Sequence, residues 1–307
     1  YLYTIVGSLN MAYISQTISS MSDRRGLYLV GAVMIFVFCM KGALFPLFTW
    51  MNRSYVAPPI AVSIIFGALL TKVGLYSIIR TYGLFYYESN FIKSYLLILG
   101  AISIIAGCIG AIYQKDLKQI VVFNIVISLG VMVCGTATLN TFGVKGALFY
   151  AVNDILLKAA LFIIVGLIIY VSGVKYIQKC GLINKYPLLG WTYFIVVLSL
   201  AGVPPFSGFY GKALIIKGLV ANNNTFIAIL VALSGLVVFY SLIKIFLNVF
   251  YDNINKSLIL KPLPKGVQIP LIAIVAIALI IGVSSNLLDG FFDKGIQMVL
   301  NPQHYID

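Results

Sequence analysis

The stretch AGVPPFSGFYGKA, from Ala201 to Ala213, lies within one of the most apolar parts of the chain. Proline removes a backbone donor from a helix and clashes with the preceding turn, and glycine permits backbone conformations that a helix does not use. Non-helical backbone at membrane depth is tolerated only where protein encloses it or where it lines a wet cavity. The stretch therefore predicts a discontinuous membrane helix with Lys212 at its break. A kink that serves packing alone is the alternative.

The composition around this stretch is that of an integral membrane protein. Hydrophobic residues make up 61% of the 307 residues and charged residues only 9%, which leaves too much apolar surface for one soluble core. We therefore predict an all-α fold, a polytopic transmembrane helical bundle, in which residues 1–20 form the end of a further helix. Eight apolar runs have about the length of roughly 20 residues that crosses a bilayer: Gly26–Trp50, Ile60–Arg80, Ser94–Tyr113, Ile120–Thr138, Thr141–Val171, Trp191–Val220, Thr225–Tyr251 and Val267–Leu288.

The basic residues are spread over loops and helices rather than gathered on one face. The net charge of +13 therefore does not indicate a nucleic-acid partner, which requires a basic patch. When loops are assigned to alternate sides of the membrane, one side collects far more lysine and arginine, as cytoplasmic loops do. The side predicted to face the cytoplasm holds Arg53, Lys115, Lys118, Lys175, Lys179, Lys185, Lys256, Lys261 and Lys265, and the other holds Arg24, Arg25, Arg80 and Lys93.

Residues that could hold a metal or a redox cofactor are scarce. The only histidine, His304, is in the C-terminal tail, and the four cysteines are scattered, three of them within apolar runs. A buried isolated cysteine usually acts as a small hydrophobic residue. The sequence therefore predicts no metal site, no cofactor and no Ser-His or Cys-His catalysis.

Ionisable residues inside the apolar runs are the most informative feature, because a charge at the bilayer centre costs about 2.5–3.5 kcal/mol on insertion scales. Two of the lysines could snorkel to the headgroups or contact a neighbouring helix, and an aspartate four residues before a lysine could form a local ion pair. The seven residues are Lys41, Lys72, Asp154, Lys158, Lys212, Lys217 and Lys244, of which Lys217 and Lys244 are the snorkelling candidates and Asp154 and Lys158 the local pair.

Three of these lysines do not fit such simple explanations. Lys72 lies near the middle of its run, too deep for its side chain to reach water easily, and Lys41 lies five residues before Pro46. Lys212 follows the two prolines of the opening stretch. An ionisable group held at membrane depth can gain and lose a proton as nearby charges change, and two of the three also lie beside helix breakers, so these lysines are candidates for proton transfer.

Four motifs follow one another along the chain: KGALFPLFTWMNRSYVAPPIAVSIIFGALLTKVGLYSIIR from Lys41, QKDLKQIVVFNIVIS from Gln114, GALFYAVNDILLKAALFIIVG from Gly146 and LSLAGVPPFSGFYGK from Leu198. Together they resemble the large antiporter-like subunits shared by respiratory complex I and the multisubunit Mrp sodium/proton antiporters. Within that family the Mrp D-type subunits fit best, because GSLNMAYIS near the start resembles their GTxNMA segment.

The resemblance implies a fold of two inverted five-helix repeats, each with a discontinuous helix. On that plan residues 1–25 are the end of a preceding helix and a loop, and residues 26–80 are the C-terminal part of the first repeat. Residues 94–251 form the second repeat, and residues 252–307 a C-terminal helix and tail. The chain would then be an N-terminally truncated fragment, and a glutamate in the missing part would pair with Lys41.

The resemblance also assigns roles to individual residues. Lys41 matches the lysine of the first broken helix, Lys72 the bridging lysine of the next helix, Lys158 the lysine of the long helix and Lys212 the terminal lysine of the second broken helix. Together with water they would form a proton relay parallel to the membrane, with Asp154 as a further relay group or an ion-pair partner. One departure is Asn153, which stands where relatives of this subtype often have histidine.

The function implied is proton translocation by one subunit of a multisubunit cation/proton antiporter, with Na+ as the expected cation. Its partners would be other membrane subunits and the lipid bilayer, in the plasma membrane of a bacterium or archaeon, and it would not itself be an enzyme. One alternative is an antiporter-like subunit of a complex I-type NADH:quinone oxidoreductase or a membrane-bound hydrogenase, where it would count as a translocase component. Another is a membrane scaffold whose lysines bind anionic lipid, which the depth of Lys72 disfavours.

Overall fold

A computed structural model describes residues 2–21, 25–251 and 260–300, and regular secondary structure within these ranges is helical apart from an isolated bridge between Asp116 and Tyr176. Two π-helical turns occur at Phe66–Leu70 and Phe246–Tyr251. The α-helices are α1 (Leu2–Val6), α2 (Met11–Ser20), α3 (Arg25–Lys41), α4 (Thr49–Ser54), α5 (Ile60–Ile65), α6 (Thr71–Phe85), α7 (Asn90–Tyr113), α8 (Leu117–Ala137), α9 (Thr141–Ser172), α10 (Pro187–Ala201), α11 (Ser207–Ala221), α12 (Thr225–Ile245), α13 (Lys265–Val283) and α14 (Ser285–Leu300).

The predicted all-α membrane bundle is confirmed. In the described part of the chain, six continuous helical stretches are long and apolar enough to cross a bilayer: Ile60–Phe85, Asn90–Tyr113, Leu117–Ala137, Thr141–Ser172, Thr225–Tyr251 and Gly266–Val283. The other two predicted runs appear as shorter apolar helices, α3 and α10. These are the two runs that contain the proline and glycine breaks.

The centre of the bundle is built by α8 and α9. Helix α8 is buried from Ile120 to its last residue and packs against both α7 and α9. Helix α9, with 32 residues, also contacts α11, α13 and the π-helical turn at Phe66–Leu70. A helix that is apolar on all sides is buried by its neighbours, so side chains on α9 are held in the interior of the protein.

The first break follows α3 at Gly42. Ala43 adopts a positive φ of 54°, and the peptide bond between Phe45 and Pro46 is cis. The freed backbone groups have partners, since the N–H of Phe45 donates to Ser103 Oγ at 2.8 Å and that of Leu44 donates to the carbonyl of Cys39 at 2.9 Å. Protein therefore encloses the start of this irregular segment, where Gly42, Ala43 and Leu44 are buried, whereas Pro46 is exposed.

The second break lies between α10 and α11 and confirms the discontinuous helix predicted from Ala201–Ala213. Helix α10 ends at Ala201 and is capped by Gly202, which has a φ of 84° that L side chains rarely adopt, and the bond between Pro204 and Pro205 is cis. Helix α11 then resumes at Ser207. The break exposes the last carbonyls of α10 inside the protein, where they need a donor.

Gly208 makes this break possible, and its replacement is expected to destabilise the protein. A Cβ at position 208 would overlap the carbonyl oxygen of Ser199, so Gly208→Ala must push α11 away from α10. Overpacking of this kind costs about 1–3 kcal/mol. We expect a lower thermal unfolding temperature for the Gly208→Ala protein than for Gly266→Ala, where a Cβ meets nothing within 4 Å. Equal unfolding temperatures would contradict the tight fit at Gly208.

Two predicted element boundaries are wrong. The run Val267–Leu288 is not one helix, because α13 ends at Val283 and the chain turns at Ser284 before α14 begins. The opening residues form two short helices instead of the end of one, because Gly7 takes a positive φ of 74° and Asn10 caps α2 by accepting from the N–H of Ala12. Arg24, Lys256 and His304 lie outside the described residues.

Loops that were assigned to one side of the membrane meet in the structure. The N–H of Leu117 donates to the carbonyl of Lys175 at 3.0 Å, and that of Ile177 donates to the carbonyl of Lys115 at 2.9 Å. Lys118 Nζ donates to the carbonyl of Val56 at 3.0 Å. Three segments with basic residues thus lie together at one end of the bundle.

Candidate functional site

Lys212 is buried on α11, and the second break supplies its partners. Its Nζ donates to the carbonyls of Leu200 and Ala201, both at 2.9 Å, which are the last carbonyls of α10. The C-terminal end of a helix carries a partial negative charge, which favours a cation there. Lys212 Nζ also lies 5.6 Å from the ring centroid of Tyr150 on α9. The broken helix therefore creates an interior site for one ammonium group.

Lys72 is buried on α6, shortly after the π-helical turn at Phe66–Leu70. Its Nζ lies 2.7 Å from Asp154 Oδ2 on α9 and donates to the carbonyl of Gly67 at 3.3 Å. Gly67 lets this turn approach α9 closely, because a Cβ there would overlap the ring of Phe162. The π-helical turn was not predicted, since π-helical turns have no specific sequence pattern and only the glycine hinted at a close approach.

Asp154 is fully buried, and its ion pair is with Lys72 rather than with Lys158. The local pair within α9 is therefore a wrong prediction, because packing turns the carboxylate towards α6. Lys158 is also buried, and within the described ranges its Nζ has neither an ion pair nor a hydrogen bond. Since Asp154 and Lys158 are four residues apart, they still lie on the same face of α9.

Lys41 is exposed and lies outside this buried group. It is the last residue of α3, and Gly42 beside it packs against Gly74 of α6, where a Cβ would lie 2.5 Å from the nitrogen of Gly42. The first break thus touches the helix that carries Lys72. The structure brings Lys72, Asp154, Lys158 and Lys212 into the interior but leaves Lys41 at its edge.

Asn153 and two serines add polar groups at the second break. Ser207 Oγ donates to Asn153 Oδ1 at 2.5 Å, and both residues are buried. Asn153 Nδ2 and Ser199 Oγ are buried without a hydrogen-bond partner among the described residues. The sequence marked Asn153 only as a departure from the family pattern. Its place next to Asp154 in an apolar helix was the signal for a role in this polar group.

The two snorkelling candidates are at the periphery. Lys217 is exposed on α11, and its Nζ lies 3.8 Å from the ring centroid of Phe142 on α9, so it contacts a neighbouring helix. Lys244 is half-buried near the end of α12. In the part of the chain that the structure describes, neither side chain forms an ion pair with the buried Asp154, whose partner is Lys72.

The chemistry available at this site is proton exchange. Three buried amines and one buried carboxylate can hold and release protons without a cofactor, and buried ionisable groups in membrane helices commonly mark ion paths and proton relays. Among the described residues there is no group of three or more His, Cys, Asp or Glu side chains that could hold a metal ion. The site therefore favours proton transfer along a set of amines.

Known proteins of similar sequence and fold are membrane subunits. Residues 1–237 match the family described as NADH:quinone oxidoreductase/Mrp antiporter, TM. The chain is 38% identical over 314 residues to the D-type subunit of the Na+/H+ antiporter of Bacillus subtilis (strain 168), and 34% identical over 310 residues to that of Alkalihalophilus pseudofirmus. Each match covers 100% of this chain and 63% of the relative, so the chain spans less than two thirds of these relatives.

Two solved assemblies contain chains of the same fold. A chain of the Mrp complex from Dietzia sp. DQ12-45-1b aligns with a TM-score of 0.91 and 22% identity, covering 99% of this chain and 65% of that one. A chain of respiratory complex I from Thermus thermophilus with bound NADH aligns with a TM-score of 0.85 and 22% identity, covering 98% of this chain and 63% of that one.

Proposed function

Because the chain belongs to the NADH:quinone oxidoreductase/Mrp antiporter transmembrane family, we propose that it is the proton-translocating subunit of a multisubunit cation/proton antiporter with Na+ as the exchanged cation. The names of the antiporter subunits at 34–38% identity support this choice. In this proposal it is an ion transporter subunit rather than an enzyme, and it works with other membrane subunits in a bacterial or archaeal plasma membrane. Residues 26–80 and 94–251 then belong to two repeats, flanked by residues 1–25 and 252–307.

One observation carries the proposal: a single face of α9 connects the buried amines. Tyr150, Asp154 and Lys158 follow one another at intervals of four residues, so they line one face over about 12 Å of helix. Lys212 of α11 lies over the ring of Tyr150, and Lys72 of α6 is ion-paired with Asp154. Helices α6, α9 and α11 thus contribute to one polar path across the interior.

Asp154 can pair with whichever neighbouring amine carries the proton. With the proton on Lys72, the carboxylate is held at 2.7 Å as the structure has it. When the proton leaves Lys72 Nζ and reaches Lys158 Nζ, the carboxylate stays ionised. Its side chain then rotates towards Lys158, which lies one helical turn further along α9. The new charge on Lys158 repels the ammonium of Lys212 in a medium of low dielectric constant, which favours proton release from Lys212.

Water molecules complete the path where side chains do not touch. Buried polar groups normally find a hydrogen-bond partner, and internal water is the usual partner in a polar cavity. Asn153 Nδ2 and Ser199 Oγ, which need such a partner, lie at the end of the path near Lys212. At the other end, Lys41 is the last residue of α3, next to the first break, and in this proposal it delivers protons to Lys72.

The alternative function is an antiporter-like subunit of a complex I-type enzyme or a membrane-bound hydrogenase. Its support is the fold shared with a chain of Thermus thermophilus complex I at 22% identity. In that setting the same amine path would be driven by electron transfer in partner subunits. The antiporter proposal is preferred because the more similar relatives carry antiporter names.

The test of the proposed function is the Lys72→Gln variant of the complete complex in membrane vesicles. Removing this amine breaks the link between α6 and α9, so the rate of Na+-driven proton movement should fall by roughly tenfold or more, which corresponds to at least about 1.4 kcal/mol. The rate is measured with a pH-sensitive dye after addition of Na+. Lys93→Gln, which removes a lysine at the start of α7, is the matched control and should keep the wild-type rate. A wild-type rate in the Lys72→Gln complex would refute the amine path.

A further inference from the structure

A crevice opens between the N-terminal ends of α10 and α13. It has a volume of about 190 Å³ and continues outwards into a wider depression of about 690 Å³. Leu189, Leu271 and Ile272 form apolar walls, and Lys185, Thr192 and Gln268 add polar groups to its lining. Such a combination fits a ligand with one charged end and a long apolar part.

Hydrogen bonds fix the rim of this crevice. Lys185 Nζ donates to the carbonyl of Leu260 at 3.3 Å, and Tyr186 Oη donates to the carbonyl of Lys261 at 2.8 Å. The N–H of Lys261 donates in turn to the carbonyl of Val171 at the end of α9. The segment that precedes α13 is therefore held against α9 and α10, and the crevice is a built feature of the fold.

Lys185 is the one charged side chain among the described residues that line the crevice. The segments that lead into α10 and α13, residues 178–186 and 260–264, contain Lys179, Lys185 and Lys261 and no aspartate or glutamate. Lys185 is exposed at the rim. Clusters of lysine next to membrane helices attract anionic lipid headgroups, so the ligand that complements this mouth is an anion.

The surroundings indicate that the mouth lies at the level of the headgroups. Trp191 on α10 and Tyr170 near the end of α9 are about half exposed, as aromatic residues are in the interfacial belt of membrane proteins. Below them, Ile269 and Ile272 of α13 expose apolar surface. Residues 266–283 contain one polar side chain, Gln268. It lines the crevice.

We propose that this crevice binds one anionic phospholipid from the bilayer. Its phosphate lies against Lys185 and Gln268 at the mouth, and one acyl chain runs between α10 and α13 along Leu271 and Ile272. A partner protein would need both an acidic group and an apolar segment in the same order to fit as well. The lipid would hold α13 against α10, next to the broken helix, and this inference does not depend on proton transfer.

The experiment counts lipids on the purified complex by native mass spectrometry, after extraction from vesicles of phosphatidylethanolamine with phosphatidylglycerol. We expect Lys185→Gln to lower the retention of phosphatidylglycerol about fivefold, the effect of one lysine near an anionic headgroup. The Ile272→Trp substitution leaves Lys185 in place but fills the crevice with a larger side chain. The complex with this substitution should also retain one phosphatidylglycerol fewer. Lys93→Gln makes the same charge change in the first turn of α7, away from the lining of the crevice, and should retain the wild-type number.

Three results would overturn this inference. One is an unchanged number of phosphatidylglycerol molecules in both the Lys185→Gln and Ile272→Trp complexes. Another is equal retention of phosphatidylcholine, or displacement of the lipid by inorganic phosphate, since either would mean that the anionic lipid itself is not recognised. The third is a cross-link between an Ile269→Cys variant and a partner protein in native membranes, which would show protein in the crevice.

Discussion

Replacing Lys212 by alanine is expected to abolish Na+-driven proton movement in vesicles while the complex still assembles. Lys212 is the ammonium group that the second break encloses, and both of its hydrogen bonds go to the last carbonyls of α10. Without the amine, the path along α9 has no group at this end that can take up and release a proton. Losing a group that transfers protons typically lowers a rate by a hundredfold or more, about 10² to 10⁴. The rate is followed with a pH-sensitive dye, and assembly by size-exclusion chromatography.

Two further variants separate proton transfer from simple stabilisation of the break. Lys212→Arg keeps a cation for the carbonyls of α10 but does not release its proton, because arginine stays protonated in proteins. It should therefore assemble well and remain inactive. Lys217→Ala is the matched control on the same helix, where the exposed amine contacts only the ring of Phe142. Activity in the Lys212→Arg complex would mean that a fixed charge suffices and that Lys212 transfers no proton.

Replacing Asp154 by asparagine is expected to damage both stability and transport. The change keeps the shape of the side chain but leaves the Lys72 ammonium, whose partner lies at 2.7 Å, without its counter-charge. Removing one partner of a buried ion pair costs about 3–5 kcal/mol. We expect the Asp154→Asn complex to dissociate at lower temperature, and its proton movement to fall by about a hundredfold. Asp293→Asn, which alters the surface pair with Lys145, is the matched control.

A double variant distinguishes the two effects of Asp154. When Lys72→Met is added to Asp154→Asn, the ammonium group that had lost its counter-charge is also removed, so the thermal stability should recover. Proton movement should not recover, because both groups of the path are then gone. Recovery of transport together with stability would mean that Asp154 serves only to hold the helices together. Wild-type transport in the single Asp154→Asn complex would exclude the relay along the face of α9.

Much of the fold followed from local features of the sequence. Hydrophobic runs of membrane length predicted the helices, and α7, α8 and α9 lie within a few residues of their predicted bounds. The second broken helix was predicted because proline and glycine interrupt a helix whatever surrounds it, and the first was implied by the family resemblance. The bend at Ser284 was not predicted. The apolar run continues across this position, so no residue there indicated that the chain changes direction.

The site was only partly accessible from the sequence. Lys72 and Lys212 were recognised because a charge in an apolar run is costly wherever it lies, and both are buried in the structure. The partner of Asp154 was not recognised, since helical spacing favoured Lys158. That choice is made by the packing of α6 on α9, where the π-helical turn and Gly67 bring Lys72 close. The exposed position of Lys41 likewise depends on which helices surround α3.

The sequence by itself therefore determined that this is a helical membrane protein with two interrupted helices and amines at or near the interruptions. These properties depend on the solvation of each residue and on its own backbone geometry. Only the tertiary structure decided that Asp154 pairs across to α6 and that Lys212 caps the end of α10. Pairing between helices depends on their rotation and close approach, which arise from packing over many residues and are not encoded in any one segment.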